Sequence, residues 1–480
     1  MPRAAKWLSS AEARCILNFE SIIRLVSPEA KSRRPRALTP PQLLILSFLG
    51  LVVFGSLLLW LPWAAAPGKT IAWHEALFTA TSAVCVTGLI VLDTPVDLSV
   101  FGQVVVLLLI QAGGLGYMTF STLIGVALGR RITLQERQTL VEGLNAFAPG
   151  EVVRFALAVF RVTVVFEGLG AIVLGAWWAG THGLARGAWL GVFHSVSAFN
   201  NAGFSLFSDN LVGATTQPLV LLTVSWLVIL GGIGFFTILE VASLRRRSLR
   251  LSLHSQLVIV ASAILLAGGT VAIYFLERDN PETLGGLTMG QAWMAAWFQS
   301  VVTRTAGFNS IAIGACQPSA LFVMTILMFI GAAPGSTGGG VKVSTIGVLL
   351  AALWATARGS TDAVIFKRRL PNEQIARAFL ICLVAFLAVN GVAAVLLARE
   401  GRELLPTLFE VVSAFGTVGM STGESGGPLS LSGDFTVPSR LLIVLMMFAG
   451  RIGPLTLLMA LARRGESSRV RYPEGKVLIG

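Results

Sequence analysis

One short pattern occurs four times in this chain. It reads TSAVCVTGLIV from Thr81 to Val91, HSVSAFNNAGFS from His194 to Ser205, FQSVVTRTAGFNS from Phe298 to Ser310 and FEVVSAFGTVGMST from Phe409 to Thr422. Each copy is an apolar run carrying Ser or Thr that ends on a glycine, and those glycines, Gly88, Gly203, Gly307 and Gly419, stand 115, 104 and 112 residues apart. A motif returning at near-constant spacing is an internal repeat, and it bounds the architecture before any local signal does.

Apolar stretches flank every copy: 43–63 and 99–128, 156–178 and 218–239, 257–275 and 320–354, 376–397 and 441–461. At about 1.5 Å per residue each is long enough to cross a ~30 Å hydrocarbon core. With 12% charged against 54% hydrophobic residues, the 480-residue chain reads as an integral membrane protein rather than two or three soluble domains. Its net charge of +12 does not indicate nucleic acid, because the basic residues cluster between repeats. They lie at Arg130, Arg131 and Arg137, at Arg245–Arg250, at Arg358, Lys367, Arg368 and Arg369, and at Arg463 and Arg464. The acidic Asp93, Asp97, Asp209, Asp279, Glu282, Glu424 and Asp434 fall within repeats. That positive-inside pattern predicts a multi-pass protein of the cytoplasmic membrane with both termini in the cytoplasm. The expected units are a basic segment at 1–40, repeats at 41–137, 138–250, 251–370 and 371–465, and a tail at 466–480. The first segment reads equally as an interfacial helix or a solvated tail. Four cysteines, Cys15, Cys85, Cys316 and Cys382, have no metal-site or disulfide-framework spacing, and no cleavable signal peptide is expected.

The repeated motif itself is too short to cross and too apolar for water. A stretch such as Thr407 to Phe415 fits a half-helix that dips into the membrane and returns as extended chain. Irregular backbone at that depth is tolerated where it lines a wet cavity or is buried in protein. Four such loops about one axis would present carbonyls in place of a cation's hydration shell, with negative helix C-termini behind them. Glycine suits a return strand that must turn its carbonyls inward. Close helix packing would explain a single copy, but four in register favour pore loops. The expected fold is therefore an all-α polytopic membrane protein of eight transmembrane helices and four re-entrant pore loops, arranged as span–loop–span repeats around one pseudo-fourfold pore. The proposed cation site is the backbone of Val86, Thr87 and Gly88; Asn201, Ala202 and Gly203; Thr305, Ala306 and Gly307; and Thr417, Val418 and Gly419.

A second glycine cluster recurs in the span after each loop: AGGLG at 112–116, LGGIG at 230–234, IGAAPGSTGGG at 330–340 and AGRIG at 449–453. The third cannot continue a helix through Pro334 and its glycines. It is expected to form an intramembrane gate loop made by Gly331, Pro334, Gly335, Ser336, Thr337, Gly338, Gly339 and Gly340. Lys342 either locks that loop or snorkels to water. In the fourth cluster Arg451 replaces a glycine, and a mid-span arginine costs roughly 2.5–3.5 kcal/mol on insertion scales. Facing the axis, it would repel a cation about 6 Å away by roughly 3 kcal/mol at an effective dielectric near 20. The alternative is an ion pair with Glu167. His74 and His194 are expected to cap or anchor half-helices, Glu75 and Glu410 to cap helices or gather cations at loop mouths, and Arg304 to brace its loop.

The segments Val86–Leu89, Asn200–Ser205, Thr303–Ser310 and Gly416–Thr422 resemble the Trk/Ktr/HKT superfamily of potassium transporters over essentially the whole chain. The eight spans and the tail RYPEGKVLIG (Arg471–Gly480) are similar to the bacterial Ktr membrane subunits. The resemblance implies K+ as the transported ion, because the family's filter glycines favour potassium and a serine in the first loop goes with sodium. It also implies a homodimer, a cytosolic nucleotide-binding regulatory ring of the Ktr/Trk A type as partner, and Na+ as an activator, with no organic cofactor in this chain. The alternative within the superfamily is a sodium-coupled or sodium-permeable cation transporter. A membrane enzyme would need convergent acid or base groups at depth, where only Glu167 comes close.

Overall fold

Each repeat opens on a helix that is apolar nearly all round, the composition that suits a lipid-facing span. In the computed structural model, which describes residues 40–116, 152–244, 251–423, 429–454, 456 and 457, the repeats share one layout. The first comprises α1 (Pro40–Trp60), α2 (Trp73–Val84) and α3 (Val100–Gly114), and the second α4 (Val152–His182), α5 (Leu184–Phe199), α6 (Pro218–Gly232) and α7 (Phe235–Leu244). The third comprises α8 (Leu253–Glu277), α9 (Met289–Val302), α10 (Pro318–Phe329) and α11 (Val343–Ala357). A hairpin of β1 (Val364–Ile365) and β2 (Arg368–Arg369) leads to the fourth, α12 (Asn372–Glu400), α13 (Leu404–Gly416) and α14 (Val437–Ile452). The basic segment before Pro40, Arg130, Arg131, Arg137, Arg245–Arg250, Glu424, Arg463, Arg464 and the tail lie outside the described residues.

Helices α1, α4, α8 and α12 are long and apolar enough to cross a membrane. They turn large side chains such as Phe54, Ile172, Ile264 and Phe386 to the outside, where only lipid can accept them as a continuous coat. The short helices α2, α5, α9 and α13 have 12, 16, 14 and 13 residues. At 1.5 Å per residue they reach only about 18–24 Å, short of a crossing. Their phenylalanines, Phe78, Phe193, Phe199, Phe298, Phe409 and Phe415, are fully buried, so the four short helices form the centre of the protein.

The inner spans differ from expectation. The sequence reads as uninterrupted apolar stretches, but α3, α6 and α14 stop at their glycine clusters, and α6 and α7 meet at a 98° bend. Packing explains the stop. A methyl on Gly113, Gly231 or Gly450 would sit 1.9, 1.9 or 1.8 Å from the carbonyl oxygens of Val84, Phe199 and Phe415. The inner helix is thus pressed onto the end of its own repeat's short helix, and only glycine permits it. Three residues on, Gly116, Gly234 and Gly453 take φ of 75°, 92° and 93°, outside the helical range. The third repeat breaks this rule: Gly331 lies against the Gly339 carbonyl, and residues 330–342 form a separate loop between α10 and α11.

Candidate functional site

All four short helices end three to five residues before the glycine, and the turn is made the same way each time. Val86, Asn201, Thr305 and Thr417, each two residues before its glycine, hold left-handed φ of 56°, 60°, 71° and 50°. Gly88, Gly203, Gly307 and Gly419 follow with φ of 94°, 70°, 70° and 95°. These turns meet one another in a ring. A methyl on Gly88 would lie 2.4 Å from the Ala202 carbonyl oxygen, and one on Gly203 would lie 2.8 Å from that of Ala306. One on Gly307 would lie 2.2 Å from the Val418 oxygen, and one on Gly419 would lie 2.0 Å from that of Thr87. The contacts run first repeat to second, second to third, third to fourth and fourth to first, so the ring closes. All twelve residues singled out from the sequence are in it. Each seam holds a carbonyl from the residue preceding a glycine, and the short helices bring the negative ends of their dipoles to the same place.

Side chains behind the ring fix it. Ser82 Oγ accepts the Gly88 amide at 3.0 Å and Ser413 Oγ accepts the Gly419 amide at 3.0 Å. Ser197 Oγ donates to the Phe204 carbonyl at 2.7 Å. Sequence reasoning missed these three serines; aligning the repeats shows them, since each stands six residues before its glycine. His194 is buried, with Nδ1 at 2.8 Å from the Leu190 carbonyl and Nε2 at 3.0 Å from Ser205 Oγ, and so ties its half-helix to the return strand. Glu410, at the equivalent position in the fourth loop, corrects the sequence reading: it is neither at a mouth nor a cap. It is fully buried and accepts the Ser432 amide at 3.0 Å and the Ser432 hydroxyl, because the chain folds back over α13. Glu75 caps α2 by accepting the Ala72 amide at 2.9 Å, and His74 lies edge-on to Trp73. Arg304 Nη2 donates to Ser262 Oγ of α8 at 3.1 Å, tying the third loop to its span.

On one side of the ring opens a cavity of about 1290 Å³ whose lining includes all four glycines. Among the described residues, Asp93, Asp209, Glu282 and Glu403 line it with one guanidinium, Arg402. Such a balance in a low-dielectric funnel raises the local concentration of cations.

On the other side lies the loop at 330–342. Thr337 Oγ1 donates to the Phe199 carbonyl at 3.3 Å, and the Gly339 amide donates to Thr417 Oγ1 at 3.0 Å. A methyl on Gly338 would meet Thr305 Oγ1 at 2.0 Å, so the loop is pressed against the left-handed turns themselves. Ala333 and Thr337 donate backbone bonds of 3.0 and 3.2 Å to Gly232 and Gly231, and the Gly335 carbonyl accepts from Phe235 at 3.1 Å. Gly331 and Gly338 to Gly340 are buried, while Pro334, Gly335 and Ser336 reach toward the periphery. Lys342 Nζ donates to the Gly338 and Gly339 carbonyls of the loop. Arg451 donates through Nη1 to the Thr337 carbonyl and through Nη2 to the Gly113 carbonyl. Glu167 takes no part in this: its Oε1 accepts from Asn200 Nδ2 at 2.8 Å, and no Glu167–Arg451 ion pair occurs among the described residues.

A profile of the TrkH family, described as a cation transport protein, matches residues 21–470. The Ktr system potassium uptake protein B of Bacillus subtilis (strain 168) is 39% identical over 443 residues, covering 92% of this chain and 97% of its own. Its namesake from Vibrio alginolyticus is 38% identical over 441 residues, covering 92% and 95%. Among solved structures, the potassium transporter TrkH from Vibrio parahaemolyticus superposes with a TM-score of 0.70 at 19% identity, over 94% of this chain and 91% of that one.

Proposed function

The chain belongs to the TrkH family of cation transport proteins, and on that premise we propose that it takes potassium into the cell through the ring of four glycine turns. The observation that carries this reading is the closed ring itself, lying between an acidic cavity and a loop bonded to its underside. An ion leaving water at the cavity floor exchanges its hydration shell for backbone carbonyls from Val86, Thr87 and Gly88 and their counterparts in the other loops. Below the ring the 331–340 loop closes the path. Opening requires the loop to leave Thr417, Phe199 and Gly231 and to give up its bonds from Lys342 and Arg451. Arg451, held at the base of the path, also places a positive charge that the ion must pass without binding tightly. The lysine and arginine distribution supports an orientation with the cavity outside and the gate and both termini toward the cytoplasm. The kinship with Ktr membrane subunits supports a homodimer set by a cytosolic nucleotide-binding ring, with sodium as an activator.

The test is titration calorimetry of the purified protein with potassium and with sodium, in the wild type and in Gly88→Ser. Binding at the ring needs neither partner nor open gate. The expected result is a potassium preference that the substitution weakens, since a side chain there collides with Ala202 and Gly203. Equal or sodium-favouring binding by the wild type would overturn the assignment and leave a sodium-coupled carrier as the better reading.

A further inference from the structure

Between α11 and α12 lies a groove of about 470 Å³, open to the surroundings and walled by Leu349, Leu353, Thr356, Asn372, Ile375 and Phe379. Its polar wall, Thr356 and Asn372, lies at the ends of α11 and α12 that the segment containing the β1–β2 hairpin connects. Val364 pairs with Arg369 and Ile365 with Arg368, leaving a two-residue turn made by Phe366 and Lys367. Both turn residues are left-handed, with φ of 47° and 64°. Such turns favour Asn-Gly, because a Cβ disfavours that conformation. Here an aromatic and a lysine hold it instead, and both are exposed. A turn that keeps unfavourable residues where glycine would serve presents them for contact rather than for folding.

The charges around the groove are unbalanced. Arg369 pairs with Asp362 at 2.9 Å, and Arg377 pairs with Glu373. Arg358 stacks its guanidinium over Trp354 at 4.4 Å, and neither Lys367 nor Arg368 has an ion pair among the described residues. An apolar trough beside surplus positive charge at a helix end matches one occupant: an acyl chain carrying an anionic head. We infer that this groove and hairpin form a binding site for an anionic phospholipid, its acyl chain between α11 and α12 and its phosphate at Lys367, Arg368 and Arg358. Helix α11 starts directly after Lys342, so the lipid would steady the helix that terminates the gate loop.

Lipid retention by the full-length protein in detergent, read by native mass spectrometry during titration with phosphatidylglycerol or phosphatidylcholine, tests this without any transport assay. The wild type should hold phosphatidylglycerol in preference. A basic side chain at an anionic headgroup is worth about a factor of five, so the Lys367→Ala/Arg368→Ala double variant should bind about thirtyfold more weakly. Ala376→Trp, which fills the exposed groove and leaves the charges, should lose the site with its oligomeric mass unchanged. Arg399→Gln, which also removes positive charge but at the other end of α12, should behave as wild type. Equal retention of phosphatidylcholine, an unaffected double variant, or an Ala376→Trp protein that changes oligomeric mass while keeping its lipid would each overturn the inference. The last of these would make the groove a contact between subunits.

Discussion

Ser82 and Ser413 accept the amide hydrogens of Gly88 and Gly419, the two ring glycines with the widest φ, 94° and 95°. Replacing either serine with alanine leaves a buried N–H without a partner, which costs about 1–3 kcal/mol. The expected outcome for the double variant is a protein that still assembles but discriminates potassium from sodium less well, read by competition in an uptake assay. Undiminished discrimination would remove the serines from the mechanism. At this scale the sequence was legible where repetition singled out a residue type. Glycine at four equivalent positions is rare enough to stand out, whereas serine is common in membrane helices, so the braces show only when the copies are aligned. Glu410 was misread because what it grips, Ser432, lies 22 residues away across a return of the chain that no local pattern announces.

Among the elements, the 331–340 loop is held by side chains from two different repeats, and Arg451 bridges it to the first repeat through Gly113. Hydrogen bonds from a charged donor contribute roughly 1.5–3 kcal/mol each. Arg451→Gln should therefore shift the loop toward its open state by about tenfold or more, and also remove a positive charge from the path. Both effects predict a higher potassium flux in proteoliposomes without any partner. Unchanged flux from a correctly folded variant would mean that the loop is not the gate. The outer spans and the short helices follow from length and apolarity. The breaks in the inner spans do not, because LLIQAGG and VILGG read as ordinary membrane helix. The decisive fact is tertiary, namely a helix end whose carbonyl occupies the space of a Cβ on Gly113 or Gly231. Only the third break was visible in advance, since Pro334 and its glycines cannot be helical in any surroundings.

For the molecule as a whole, the ring is fourfold and its two faces are not alike: an acidic cavity above, one loop below. Asp93 at the cavity is pushed above the usual aspartate range, mainly by burial and further by its neighbour Asp97, against opposing effects of Ser208 and Lys69. Its charge is accordingly lost at a higher pH than an ordinary aspartate's as the medium is acidified. Uptake should fall over that interval as the cavity holds fewer cations, and Asp93→Asn should lower uptake at neutral pH and flatten this part of the profile. A profile identical in wild type and variant would exclude Asp93 from ion recruitment.

The seam between Gly419 and Gly88 joins the last loop to the first, and beside it the Ile90 amide meets Ser430 Oγ at 2.9 Å across 340 residues. A nascent chain on the ribosome therefore carries three quarters of the ring into the bilayer with nothing to complete it. The circle closes only when the fourth repeat has been synthesised and inserted. The same repeat brings Thr417 and Arg451, which bond residues 331–340 of the third. On the proposed function, synthesis of the fourth repeat is therefore the step that completes the path for the ion.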